Sequence, residues 1–146
     1  MLYFNDLVNG TLLGDTIAPQ TVTGTVNGTA VDASQAGGNL INAISSVGAV
    51  SSLTSYDVKI QASPDGSTAW VDITGATFSQ VTAASNLQVI SFQLPVALNA
   101  TALGYRYVRA VTTLVGTNVL AHALFVMLKH FPNPTTGYSA APPTIN

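Results

Sequence analysis

The chain has no cysteine and no glutamate, and only ten of its 146 residues are charged, four Lys or Arg and six Asp. The missing thiols exclude disulfides, a thiolate zinc site and a cysteine nucleophile, and leave the redox compartment open. Four scattered cations in a chain of net charge −2 cannot line a phosphate backbone, which excludes direct nucleic-acid binding. Long apolar runs are lacking as well. The longest, Val119 to Leu128, falls short of the roughly 18 residues that a spanning helix needs and is interrupted by His122. No membrane association is expected. The start, Met1 to Asp6, has neither a basic region nor a long apolar segment, so no secretory signal is read there and synthesis in the cytoplasm is expected.

An ordinary globular chain carries about 25% charged residues, against 7% here, while mean hydropathy is +0.40. A surface so poor in charge can place whole faces in contacts without desolvating an ion. Composition therefore points to assembly, and a homo-oligomer, dimer or trimer, is the expected state.

What is present reads as strands. In Asp57 to Ala62, apolar Val58, Ile60 and Ala62 alternate with polar Asp57, Lys59 and Gln61, the period of a half-buried strand. Pro64-Asp65-Gly66-Ser67 is a turn: Pro presets φ, Asp caps locally and Gly accepts positive φ. Ala69 to Ile73 returns as a strand, and Ala76 to Val81, Gln88 to Leu94 and Tyr105 to Leu114 follow. Val119 to Lys129 is apolar on both faces, which predicts a central position in its sheet. Asn27-Gly28 between Thr21–Val26 and Thr29–Val31 predicts a hairpin. Asn39 to Val50 fits either a helical face or a bulged strand, and strand is preferred.

Seven to nine strands with a turn every 8 to 12 residues imply an all-β fold, an antiparallel β-sandwich or jelly roll. Residues 1–20 are expected as an extended N-terminal arm, or a loop with a short edge strand, 21–131 as the β-domain and 132–146 as an extended C-terminal tail. That tail holds four of the seven prolines, which cannot pair in a central strand.

Chemistry-bearing residues are few. Proton-transfer catalysis needs a carboxylate pair or a His with an orienting acid, and the six Asp occupy turns and polar strand positions. His122 shares a face with Leu120, Leu124 and Val126 and reads as a core or interface histidine; His130 sits at a strand end. Asp65-Gly66-Ser67 lacks the further carboxylates of a calcium loop. Asn9-Gly10-Thr11, Asn27-Gly28-Thr29 and Asn99-Ala100-Thr101 match glycosylation acceptors but, without a secretory signal, read as turns and strand starts. No catalytic residue, metal or cofactor is assigned, and a non-enzymatic role is expected. Aromatics carry more: Tyr105 and Tyr107 share a strand face with Arg109 while Arg106 points the other way, good interface material and equally suited to a sugar platform. Tyr3 and Phe4 in the arm, and Phe131, Tyr138 and Ile145 at the other end, complete the candidate contact residues.

The segments Val58-Lys59-Ile60-Gln61-Ala62-Ser63-Pro64-Asp65-Gly66-Ser67, Trp70 to Phe78 and Tyr105-Arg106-Tyr107-Val108-Arg109-Ala110 resemble small virion proteins of tailed bacteriophages, and more narrowly the capsid decoration or cement proteins. The likeness covers about Ser55 to Gly116. It implies a β-rich auxiliary head protein that binds the outer capsid surface of the virion, with the major capsid protein as partner, and links capsomers. It transfers no functional residue, because such proteins work through surfaces. The alternatives are a carbohydrate-binding or adhesin-like module and a tail or connector subunit.

Overall fold

The structure, a computed structural model, describes residues 11–34, 36–48, 53–82, 86–93 and 105–129. Among them are nine strands and no helix: β1 Thr11–Val22, β2 Val26–Asn27, β3 Val31–Asp32, β4 Ala36–Val47, β5 Leu53–Ser63, β6 Val71–Thr77, β7 Asn86–Gln93, β8 Tyr107–Gly116 and β9 Val119–Lys129. The fold is all-β, and every strand pairing is antiparallel. One sheet has the order β1-β9-β4-β7; the other has the order β2-β8-β5-β6, with β3 also on β8.

Alternation decides which side chains enter the core. On β5, Tyr56, Val58, Ile60 and Ala62 are buried while Asp57, Lys59 and Gln61 face outward. On β9, Val119, Ala121, Ala123, Phe125 and Met127 are buried and Leu120, His122, Leu124 and Val126 take the opposite face. These inward rows belong to one hydrophobic cluster that both sheets supply. Small Ala43, Ala121 and Ala123 leave room for Phe92 and Phe125, which meet edge to face with centroids 6.1 Å apart. Burying side chains of this size contributes about 1.5 to 3 kcal/mol each. The central placement expected for Val119 to Lys129 is found: β9 pairs with β1 on one side and β4 on the other.

One expectation is narrowed and one fails. Residues 11–20, read as an arm or a loop with a short edge strand, form with Thr21 and Val22 the edge strand β1, which pairs with β9 and places Ile17 and Val22 in the core. Their Gly, Pro and Asp mark bulges rather than an excursion: the register shifts between Asp15 and Ile17 and again between Ile17 and Gln20. Asn27-Gly28 makes no hairpin, because β2 and β3 both lie along β8 instead of pairing with each other. Gly28 serves close approach. A Cβ there would collide with the Thr16 hydroxyl and lie 2.8 Å from the Ala110 carbonyl.

That crowding exists because Thr16, 2% exposed, stitches the sheets together. Its hydroxyl accepts from Ala110 N–H at 2.8 Å and donates to the Thr29 carbonyl at 3.1 Å, while its own carbonyl accepts from Thr29 N–H at 2.6 Å. The bulge beside Asp15 turns this residue towards the second sheet.

Candidate functional site

Each sheet keeps one face outside the common core, and the two outer faces differ in character. Seven of the ten charged residues, Asp32, Asp57, Lys59, Asp65, Asp72, Arg106 and Arg109, belong to strands or adjoining turns of the β2-β8-β5-β6 sheet.

On that outer face, pairing aligns Arg109, Gln61 and Asp72 across β8, β5 and β6. The Arg109 guanidinium donates to Gln61 Oε1 at 2.8 and 3.0 Å, Gln61 Nε2 donates to Asp72 at 2.8 Å, and Lys59 Nζ reaches the other Asp72 oxygen at 2.8 Å. The Lys59 and Gln61 donors hold the Asp72 carboxyl below the usual carboxylate range, and partial burial lowers Arg109. Trp70 closes over the row, its ring 4.1 Å from the Arg109 guanidinium carbon. Ala69, with φ of 49°, turns the chain to bring it there, and Trp70 Nε1 donates to the Ser67 carbonyl at 3.3 Å.

The Tyr107 ring lies on Gly66, whose φ of 75° and missing Cβ both make glycine necessary. Arg106 sits 5.2 Å from the Tyr107 centroid and forks onto Asp32, with Nε 3.0 Å from both oxygens; that fork holds Asp32 well below its ordinary value. Asp65 accepts from the N–H groups of Ser67 and Thr68 and from the Thr68 hydroxyl, which depresses it too. A depression of about 380 Å³ nearby is lined by Asp57, Lys59, Thr77, Gln80, Val111 and Thr113. Its ionic groups are engaged, Asp57 by Gln80 and Lys59 by Asp72. This face is a closed lattice of mutually satisfied groups.

The outer face of the β1-β9-β4-β7 sheet is nearly neutral. Register places Leu124, Ile44 and Val89 in one row across β9, β4 and β7, with Leu13 beside Val126 at one flank and Leu87 beside Ser46 at the other. Leu13, Leu87, Val89 and Leu120 are 57 to 70% exposed. Its described ionisable groups are Asp15 and His122, whose Oδ1 and Nε2 lie 2.9 Å apart. Asn42 and Ser91, hydrogen-bonded to each other, and Ser46 beside His122 flank that apolar row, so the face is uncharged over most of its area with a central apolar stripe, which is the feature of a contact surface.

Of the residues expected at a contact surface, Tyr107 and Arg109 do share the outer face of β8. Tyr105 precedes β8 and packs against the core cluster, so it leaves the expected row. Tyr3, Phe4, Phe131, Tyr138 and Ile145, with the rest of the C-terminal tail and residues 1–10, lie outside the described residues. Leu13, Leu87, Val89 and Leu120 were absent from that expectation. For Leu120 the signal was a strand apolar on both faces, which becomes exposure when only one face of the sheet meets the core. Among the described residues no three His or Asp gather as a metal site would require, and no helix is long and apolar enough to cross a membrane. No protein family matches the chain, and no curated protein matches it in sequence.

Proposed function

We propose that the chain is a non-enzymatic structural subunit, its two sheets packed as an antiparallel β-sandwich, that decorates the outer surface of a bacteriophage capsid and stabilises it by linking capsomers. The observation that carries this reading is the segregation of charge: one outer face is ionically self-satisfied, while the other bears, among its described residues, the single pair Asp15–His122 and is otherwise uncharged. A neutral face docks on a large neutral partner with little desolvation cost, which suits a shell of repeated subunits. The likeness to decoration proteins at Val58 to Ser67, Trp70 to Phe78 and Tyr105 to Ala110 supplies the kind of shell, with the major capsid protein as partner. The alternative of a sugar platform is disfavoured, because the Arg109 guanidinium covers a face of Trp70 that a sugar ring would stack on.

The test is cosedimentation of the purified protein with preformed empty shells of the major capsid protein. Leu120→Asp, at a site 57% exposed, is expected to weaken binding by roughly tenfold or more, while Arg109→Ala leaves it within about threefold. Full binding by Leu120→Asp, with loss in Arg109→Ala, would transfer the docking face to the other sheet. Absence of binding by the unmodified protein, with capture on a glycan array, would replace the reading by the carbohydrate one.

A further inference from the structure

Among the described residues the two sheets end in four edges, and three are blunted by devices that prevent strand addition. β1 is bulged twice and carries Asp15 and Pro19. The β2 and β3 edge is broken into two-residue pieces and ends at Asp32, in its ion pair with Arg106. β6 is interrupted by a register shift opposite Lys59 and Gln61, turns at Gly75 with φ of 80°, and presents Asp72.

β7 has none of these. Asn86 to Gln93 pairs with β4 in unbroken register from Leu40↔Gln93 to Val47↔Asn86, and among the described residues β4 is its one ladder neighbour. The strand Asn-Leu-Gln-Val-Ile-Ser-Phe-Gln holds no charge, no proline and no glycine. Leu87 is 70% and Val89 60% exposed on its outer side.

We propose that β7 pairs with β7 of a second copy, antiparallel about a two-fold axis normal to the sheet, so that the two four-stranded sheets join edge to edge. Self-pairing follows from the edge's chemistry. Only the residue on the two-fold axis meets its own copy, and because Asn86 to Gln93 carries no charge, no register of this strand against itself opposes like charges. Opposite residues in an antiparallel pair share a face, so an axis at Val89 sets Leu87 beside Ser91 of the partner subunit with no apolar side chain facing an ion. The row Leu124, Ile44 and Val89 runs up to this edge, and the two rows merge across the axis into one apolar stripe. A one-strand contact buries less than the ~800 Å² per partner of a standard interface, which makes the pairing a weak, reversible one. It goes beyond docking to a shell: β7 supplies the contact between copies, whatever the opposite strands of the sheet bind.

The experiment is sedimentation equilibrium of the full chain from about 10 to 500 µM, a range that brackets micromolar dissociation constants, with hydrogen exchange at both ends. A dimer is expected, with the amides of Asn86 to Gln93 slowing as concentration rises. Val89→Lys raises the dissociation constant by roughly tenfold or more by placing like charges across the axis, and mixing it with Val89→Asp restores association. Val115→Lys, at a site 53% exposed on β8, leaves it unchanged, and the exposure of both sites keeps each variant folded, as a cooperative melt confirms. A single 15.0 kDa species throughout overturns the proposal. So does a dimer in which Val89→Lys has no effect and β7 amide exchange is independent of concentration. Either result leaves shell binding through Leu120 to be judged by its own assay.

Discussion

Two hydroxyls sit at the centre of the core without complete hydrogen bonds. Tyr56 is 1% and Thr112 0% exposed, and neither oxygen has a partner of adequate geometry. Burial pushes the Tyr56 phenol up to about 12, and the neighbouring Thr112 hydroxyl offsets part of the rise. A buried polar group left unpaired costs about 1 to 3 kcal/mol, and replacing both by apolar groups of the same shape removes that cost. The double change Tyr56→Phe with Thr112→Val is therefore expected to stabilise the fold by about 1 kcal/mol, read from the urea midpoint at unchanged slope. A lower midpoint would show that the two hydroxyls form a full hydrogen bond in solution. Both residues sit at inward positions of their strands, and Tyr56 was legible there from the alternation of β5. Its lack of a partner was not, because that depends on which side chain of β8 lies opposite.

Strands here were easier to find than their pairings. β5, β7 and β8 follow their alternation, since a strand with one covered face places apolar side chains every second residue, whereas β9 was found from its continuous apolar run. β2 and β3 were misassigned to each other because the Asn27-Gly28 pattern speaks for a tight turn, whereas the pull on Gly28 comes from Thr16 and Ala110, distant in sequence. A similar long-range device ties β7 to the segment after β6. The Gln88 side-chain amide imitates a strand: its Oε1 accepts from Ser79 N–H and its Nε2 donates to the Ser79 carbonyl, both at 2.8 Å. Gln88→Ala removes both bonds and is expected to cost about 1 kcal/mol, since these groups are partly solvated. The checking measurement is hydrogen exchange, in which the Ser79 amide loses protection while β5 and β8 keep theirs. Unchanged protection at Ser79 would mean that this segment is held without Gln88.

At the scale of the molecule the governing fact is polarity between faces. The ion pairs Lys59–Asp72 and Arg106–Asp32 lie with the β2-β8-β5-β6 sheet, and each is exposed enough to contribute little to stability. Docking through the opposite, neutral face therefore depends weakly on ionic strength. Raising salt to 0.5 M, where the Debye length is about 4 Å, is expected to change shell binding by less than roughly threefold. A hundredfold loss, measured by the same cosedimentation, would place the contact on the charged face.

Composition and alternation alone determined that this chain is built of strands, that its surface is poor in charge and that Val119 to Lys129 lies inside a sheet. Those properties are local or additive: a period of two is written in consecutive residues, and charge is a count. Which apolar residues remain outside was decided only by tertiary structure. Leu124 and Phe125 are adjacent in sequence and similar in hydrophobicity, yet Phe125 is fully buried and Leu124 belongs to the outer face. Nothing in a strand apolar on both sides says which side meets the other sheet; that follows from the direction of the partner strands. The grouping of Arg109, Gln61, Asp72 and Trp70, from three strands and a turn, likewise exists only once pairing has set their register.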